Sequence, residues 1–296
     1  MEKMPEVLAV GSVLWDVIGI AGGKMALAAD VPGRIRRQPG GVAMNIATAL
    51  AGHGLGVALL SVVGRDSEGD ALIRAAVARG LITRYLLRSD DLPTDRYIAI
   101  EAENGLIAAI ADAHSLEQAG SAILAPLLDG RLASAENPWR GMVALDGNLT
   151  TAMLSEIASA GLFDHADLRI APASPGKASR LGGFLGHARA TIYLNLHEAN
   201  ILTGGDFHTS QAAAQALLGF GLYRVAVTNG PAPATIASAV EFADATPPAV
   251  RVLRLTGAGD CFMAAHMAAE HRGMATEAAL HSALGAAAEF ISHEEP

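Results

Sequence analysis

Hydrophobic positions fall into short unbroken runs that alternate with longer segments of helical character. Val7–Val10, Val57–Val63, Gly141–Leu145, Leu168–Ala171, Ala190–Leu194 and Arg224–Thr228 are the strand candidates. Several are continuously apolar rather than alternating, as parallel strands covered on both faces must be. Between them lie the Ala- and Leu-rich helix candidates Met44–Ala51, Glu68–Arg79, Thr151–Ala160, Gln211–Leu218 and Gly259–Glu270. Ser67, with Asp70 three residues on, has the form of a capping box for the second of these. The alternation predicts an α/β fold: a doubly wound parallel sheet with right-handed crossovers.

Two segments break this rhythm. Arg96–Ala102 and Leu106–Ala111 flank Glu103-Asn104-Gly105, and Asn-Gly between strand-like runs signals a hairpin. Trp15–Arg37 is too long and too glycine-punctuated for an ordinary strand-to-helix connection. Together they predict a small inserted β lid, formed by approximately 15–37 and 94–112. No repeat, charge block or low-complexity linker divides the rest, so residues 1–296 are expected to be one domain carrying that lid.

Composition narrows the classes. Charged residues are 17% and hydrophobic ones 51%, which excludes a disordered chain. Aromatics at 4% argue against stacking on single-stranded nucleic acid or an aromatic membrane belt. A net charge of −9 repels a phosphate backbone, and the densest basic cluster is only Arg34, Arg36 and Arg37. No nucleic-acid partner is expected. The single cysteine, Cys261, excludes an internal disulfide and a multi-cysteine metal site, and it fits a reducing cytoplasm. Val7–Ile20 could pass for a signal peptide, but Glu2, Glu6 and Asp16 oppose that, and a buried first strand is expected instead. No run reaches the roughly 18–20 apolar residues of a membrane span. The expectation is a cytoplasmic protein without a membrane partner.

Familiar nucleotide and hydrolase signatures are missing: no G-x-x-x-x-G-K-[ST], no G-x-G-x-x-G after the first strand, no H-E-x-x-H and no G-x-S-x-G. The informative run is Thr256-Gly257-Ala258-Gly259-Asp260-Cys261-Phe262, leading into an apolar helix. Glycines at a helix start let N–H groups approach an anion, and the helix dipole adds attraction. Asp260 is then either a capping carboxylate or a general base beside an anion hole, accepting the proton of a phosphoryl-accepting hydroxyl. Gly40-Gly41-Val42-Ala43-Met44-Asn45 opens a small-residue helix. It is a turn and helix start, or a place where a polar ligand meets the backbone and Asn45. Asp16, just past the first strand, sits where open α/β sheets bind ligands and could accept two sugar hydroxyls. Asn195-Leu196-His197-Glu198 is either a helix cap or, through Asn195 and Glu198, a water-mediated Mg²⁺ site. Lys177 is a solvated lysine or a point charge on a transferring phosphate. Cys261 is expected to be a buried small residue.

Gly-Gly-x-x-x-Asn early, Asn-x-x-Glu late and Gly-Ala-Gly-Asp before the last helices occur in the order of the ribokinase-like (PfkB-type) kinases. Gly64-Arg65-Asp66 with Gly69 resembles the same family, and the resemblance covers nearly the whole chain. It implies a phosphotransferase with an alcohol group as acceptor and ATP as donor with Mg²⁺. Asp260 would be the catalytic base, and the amides of Gly257, Ala258 and Gly259 the anion hole. Pro32-Gly33-Arg34-Ile35 leading to Pro39-Gly40-Gly41-Val42, Asp146-Gly147-Asn148, Ala171-Pro172-Ala173-Ser174 with Lys177, and the Asp112 segment are most similar to the pseudouridine-kinase branch.

The resemblance therefore implies phosphorylation of the 5′-hydroxyl of pseudouridine. Asp16, Gly40, Gly41, Asn45, Thr94, Asp112 and Asn148 would contact the acceptor. Lys177, Asn195, Thr228, Asn229, Gly230 and Thr256 would contact the nucleotide, and Asn195 and Glu198 would hold Mg²⁺ through water. Asn148 would cap the helix at Thr151 or read a uracil edge, with Thr94 as a second reader. Alternatives are a kinase for another sugar or nucleoside, or a non-catalytic nucleoside- or nucleotide-binding relative. Two departures stand out. Arg254-Leu255 occupies the place of an Asp-Thr that many relatives use for a monovalent cation, which argues against potassium activation. Pro233 replaces a glycine after Val227-Thr228-Asn229-Gly230, so a differently shaped nucleotide loop and modest ATP affinity are expected. The small acceptor would be the main partner, with a homodimer formed through the lid sheet.

Overall fold

The computed structural model describes residues 4–26, 28–159 and 161–293. Glu2, Leu27 and Ala160, on which parts of the signal, lid and helix expectations rest, lie outside the described residues. In chain order the strands are β1 (Val7–Val10), β2 (Leu14–Ala21), β3 (Gly33–Gly40), β4 (Val57–Leu60), β5 (Val62–Gly64), β6 (Leu87–Ser89) and β7 (Arg96–Ala102). They continue as β8 (Gly105–Asp112), β9 (Met142–Asp146), β10 (Asp167–Ala171), β11 (Thr191–Asn195), β12 (Arg224–Asn229), β13 (Ala232–Ser238) and β14 (Phe242–Ala245). The α-helices are α1 (Val42–Gly52), α2 (Ser67–Ala78), α3 (His114–Ala119), α4 (Thr151–Ser159), α5 (Leu196–Thr203), α6 (Ser210–Gly219), α7 (Ala258–His271) and α8 (Thr276–Ser292).

The main sheet has eight strands in the order β14-β13-β12-β11-β10-β9-β1-β4. From β12 to β4 every neighbour is parallel, as the unbroken apolar runs require. Side chains alternate between two cores. Val7, Ala9, Met142 and Ala144 face α1, α2, α7 and α8, whereas Leu8, Val10, Val143 and Leu145 face α4, α5 and α6. Burial on both sides explains why these strands lack a polar face.

Several local expectations change. The run Val57–Val63 is two strands, because the chain leaves the main sheet after Leu60 and β5 pairs with β6. The cap of α2 is Asp66, not Ser67: its carboxylate accepts the Gly69 N–H at 2.6 Å. The sheet also ends in two antiparallel strands, β13 and β14, that the sequence does not announce. Their segment is proline-marked, and Pro233 falls where the β12–β13 register shifts between Val227 and Asn229. A bulge tolerates the missing N–H, so the proline fits a paired strand there.

A second sheet, in the order β3-β2-β7-β8, is built from the two interrupting segments. The hairpin β7–β8 turns at Glu103-Asn104, with Gly105 at φ 100° taking the left-handed conformation. Trp15 ties this small sheet to α2: its indole N–H donates to the Glu68 carbonyl at 3.0 Å, and the Arg37 guanidinium lies 3.9 Å over its ring. Among the described residues no helix is long and apolar enough to cross a membrane.

At the amino-terminal edge of the main sheet, the carboxyl-terminal end of α7 meets two buried arginines. Glu270 accepts from Arg169 at 2.5 Å and from Arg224 at 2.6 Å, and Arg169 also forks onto Asp167. These partners hold the Glu270 carboxyl down at about 2 against the opposing effect of burial. A carboxylate held low stabilises the fold at pH values above its unfolded value of about 4.3, and that contribution fades as pH falls towards 2. Glu270→Ala is expected to cost about 1.5–3 kcal/mol at pH 7, since it takes one carboxylate partner from each of two buried guanidiniums while Asp167 stays on Arg169 and Glu241 on Arg224. Denaturant unfolding at pH 7 and pH 3 checks this: the difference between wild type and variant should shrink at the lower pH.

Candidate active site

The carboxyl ends of β10, β11 and β12, the amino-terminal turns of α1 and α7, and one face of the small sheet enclose a cleft of about 810 Å³. Strand alternation selects the small sheet's contribution: Leu14, Asp16 and Ile18 from β2, and Tyr97 and Glu101 from β7. The cleft lies at the edge of the sheet where open α/β proteins bind ligands.

Its floor is the start of α7. Gly257, at φ 86° and ψ −3°, caps the helix in the left-handed region without a side-chain acceptor. The Ala258 N–H is bonded to the Leu255 carbonyl, so it is not open to an anion as expected from sequence. Among the described residues no hydrogen bond occupies the N–H groups of Gly259 and Asp260, which remain to meet a negative ligand at the positive end of the helix dipole. Asp260 stands in this first turn, and Asn45 Nδ2 donates to its Oδ2 at 2.9 Å. Burial, followed by the charges of Asp146, Asp16 and Glu198, pushes its carboxyl up to about 7, while the Asn45 bond pulls the other way. A carboxylate poised near neutrality is suited to take a proton from a hydroxyl.

Asn45 reaches Asp260 because α1 starts tightly. A Cβ on Gly41 would lie 2.5 Å from the Ser12 carbonyl oxygen, and its φ of 94° disfavours any side chain. Gly40 does not line the cleft; it leaves room for the Asp16 carboxylate, which a Cβ there would strike.

The side wall is a polar network centred on Asp146, which is fully buried. Its carboxylate accepts the Ser12 N–H and the Asn148 N–H, each at 2.8 Å, and also the Ser12 hydroxyl. Asn148 Nδ2 donates to Asp146 at 2.8 Å and to Ser12 Oγ at 2.9 Å, while its carbonyl oxygen receives the Lys177 ammonium. Both amide protons of Asn148 are therefore committed within the protein, and the expectation that they read a uracil edge is corrected. Asn148 instead holds Lys177 at the cleft. Burial lowers the Lys177 ammonium from its ordinary value.

Asn195, Glu198, Thr228 and Thr256 also border the cleft. Asn195 and Glu198 form a reciprocal capping box, with Asn195 Oδ1 accepting the Glu198 N–H at 2.9 Å and Glu198 Oε2 accepting the Asn195 N–H at 2.8 Å. Besides Gly40, four expected contacts are absent from the cleft. Thr94 is 2% exposed, its hydroxyl donating to Asp66 and accepting the Gly64 N–H, so it fastens a loop rather than a ligand. Asp112 ends β8 against His114, 3.0 Å away. Asn229 and Gly230 lie in the turn beyond Thr228.

Residues 4–296 match the pfkB family of carbohydrate kinases. The chain belongs to that family. It is therefore a phosphotransferase acting on a hydroxyl of a sugar or nucleoside. It is 27% identical over 278 residues to the pseudouridine kinase of Escherichia coli, across 89% of this chain and 83% of that one. It is 32% identical over 198 residues to the uncharacterized sugar kinase YeiI of the same species, across 67% of this chain and about half (52%) of that protein's length. A carbohydrate kinase from Agrobacterium tumefaciens superposes with a TM-score of 0.80 at 27% identity, covering 96% of this chain and 90% of that one. A ribokinase of Arabidopsis thaliana, solved with ribose and ATP, superposes at 0.77 with 20% identity, covering 99% and 94%, and shows the shared fold.

Within this kinase, sequence reasoning missed Ser12, Tyr97 and Glu101. Ser12 lies in an undistinguished turn, and its role as hub shows only once β1 and β9 are adjacent. Tyr97 and Glu101 fall on the lid strand's inner face by alternation, a signal that was legible in Arg96–Ala102. Asp16 and Glu101 hold the Tyr97 phenol above its ordinary value, behind the larger effect of burial, which sets these three groups beside one another on the cleft wall.

The geometry makes one residue's contribution measurable apart from the others. Asn45→Ala removes the bond that lowers the Asp260 carboxyl, so the acidic limb of the kcat/KM profile should move to higher pH than in wild type. A pH–rate series from 5 to about 9 checks it. An unmoved limb with a uniformly lower rate would show that Asn45 acts elsewhere.

Proposed function

We propose that this kinase transfers the γ-phosphoryl group of ATP to the 5′-hydroxyl of pseudouridine, with Asp260 as general base. The observation that carries the reading is Asp260 itself: a carboxyl pushed to about 7, at the head of α7, beside the N–H groups of Gly259 and Asp260. The acceptor hydroxyl gives its proton to Asp260 while the transferring group rests on those amides, whose dipoles oppose its growing charge. Lys177, fixed by Asn148, adds a point charge to the phosphates, and Thr228 and Thr256 border the donor's side of the cleft. Asp16, Gly41 and Asn45 hold the acceptor's hydroxyls.

Mg²⁺ fits the donor set at Asn195 and Glu198. Glu198 is a buried carboxylate raised by desolvation, and one of its oxygens is spent on the cap, so a hydrated cation in the cleft would favour its charged form. Bound there with the phosphates, Mg²⁺ would supply charge neutralisation. Arg254 donates Nε to the Phe290 carbonyl at 2.9 Å and stacks 3.6 Å over its ring, a cationic occupant that disfavours a monovalent metal at that place.

Pseudouridine as acceptor is supported by the similarity to the pseudouridine kinase along most of both chains and by the polar lid face, where Tyr97 and Glu101 can pair with the ring's N–H and carbonyl groups. Residues of the small sheet act as a lid that excludes water from the phosphoryl group, and the outer face, with Ile98 and Ile110 exposed as a cross-strand pair, suits a homodimer. A panel of nucleosides and sugars, each with ATP and Mg²⁺ and read by phosphorylated product, tests the reading. Turnover confined to free sugars would replace pseudouridine by another acceptor.

A further inference from the structure

A second cavity, of about 460 Å³, lies at the opposite edge of the main sheet from the cleft. Asp167, Thr191 and Arg224 mark its walls, and these begin or nearly begin β10, β11 and β12, whose far ends carry the catalytic cleft. The cavity is separate from the kinase site. Its charge is unlike that of the molecule. The chain carries a net −9, yet four arginines (Arg140, Arg169, Arg189 and Arg224) line this cavity against Asp167 and Glu241.

An internal ion network accounts for only half of them. Arg169 and Arg224 are 6% and 8% exposed and are fixed by Asp167 and Glu270. Arg140 and Arg189 are exposed on the cavity wall and meet no carboxylate among the described residues; the Arg189 guanidinium donates to the Asp164 carbonyl, at 2.8 Å. Arg224 keeps its buried Nε without a partner among the described residues. A fold stabilised by the network alone needs neither rim arginine nor the space between them.

We propose that this cavity binds a compact phosphorylated anion. Planar guanidinium forks match phosphoryl oxygens bidentately, and the two rim arginines here meet no carboxylate among the described residues that would compete for them. The two buried arginines are held in place before any ligand arrives, which lowers the ordering cost of binding. The volume lies in the range of small-molecule sites and exceeds what one bare oxyanion fills, so the phosphoryl group of a small metabolite fits better than free phosphate.

Isothermal titration of the full-length kinase with inorganic phosphate and, separately, with ribose 5-phosphate tests this. Three variants accompany the wild type: Arg140→Glu/Arg189→Glu, Arg140→Ala and Lys177→Ala. The first two change the rim of the cavity, and Arg140→Ala breaks no side-chain hydrogen bond or ion pair among the described residues, whereas Arg189→Glu gives up the bond to the Asp164 carbonyl. Lys177→Ala removes the cation of the catalytic cleft. We expect ribose 5-phosphate to bind more tightly than inorganic phosphate. Its affinity should survive Lys177→Ala, fall at least tenfold in the double reversal, and fall in the same direction in Arg140→Ala. Any other pattern overturns the proposal: no binding, binding lost with Lys177, or a double variant within tenfold of wild type. Failure here leaves the kinase reading untouched, because that reading is tested by turnover.

Discussion

Asp260→Asn is expected to lower kcat by about 10²–10⁴-fold, the usual contribution of a positioned general base, while ATP affinity stays near the wild-type value. The amide keeps the size of the side chain and can still accept from Asn45 Nδ2, so the loss isolates the proton-accepting role. Stability supplies the control. A carboxyl pushed to about 7 by burial favours folding when protonated and costs stability as pH rises through that value. At pH 8 the neutral asparagine should leave the fold at least as stable as wild type. A variant that melts earlier and loses activity in proportion would point to a folding defect. Turnover within a fewfold of wild type would reduce Asp260 to a helix cap.

The second large effect concerns the acceptor. Asp16→Ala should raise the acceptor KM more than tenfold and leave the ATP KM within about twofold, as loss of a charged hydrogen-bonding partner is worth roughly 1.5–3 kcal/mol. The direction follows from its place on the inner face of the lid strand β2, on the wall across which the acceptor would lie. Gly40→Ala should produce a weaker version of the same change, because its Cβ would displace the Asp16 carboxylate without removing it. Steady-state kinetics with each substrate varied in turn separates the outcomes. Equal rises in both KM values would place Asp16 outside the acceptor site.

The parallel core was legible because its signal is local: a strand buried on both faces has to be apolar throughout, and β1, β9, β10, β11 and β12 each fall within a residue or two of the runs that mark them. The lid hairpin was legible for a similar reason, since Asn104-Gly105 announces its own turn. The edge strand β13 was not, because Pro233, a residue that usually bars a strand, is accommodated at a bulge that depends on β12 beside it, and β14 in turn pairs only onto β13 among the described strands.

The site divides in the same way. Gly-Ala-Gly-Asp and Gly-Gly-x-x-x-Asn can be read along the chain, but the bond between Asn45 and Asp260 joins helices far apart in sequence and appears only in three dimensions. Thr94 and Asn148 show the reverse error. Their side chains have the chemistry to meet a ligand, yet burial beside Asp66 and Asp146 consumes their donors, and sequence offers no measure of that competition. Glu198 belongs to both columns: the capping box that looked like an alternative to a ligand role is present, and the residue still borders the cleft.

The most direct measurement is kcat/KM for pseudouridine beside that for ribose, with saturating ATP and Mg²⁺ and the product identified by phosphorus NMR. Sites whose polar groups are built to pair with a substrate reject analogues that lack those partners by large factors. Tyr97 and Glu101 on the lid face would be left without partners by ribose, which has no base. A 5′-monophosphate product and a kcat/KM for pseudouridine well above that for ribose are expected. Comparable values for the two acceptors, or ribose ahead, would contradict this reading.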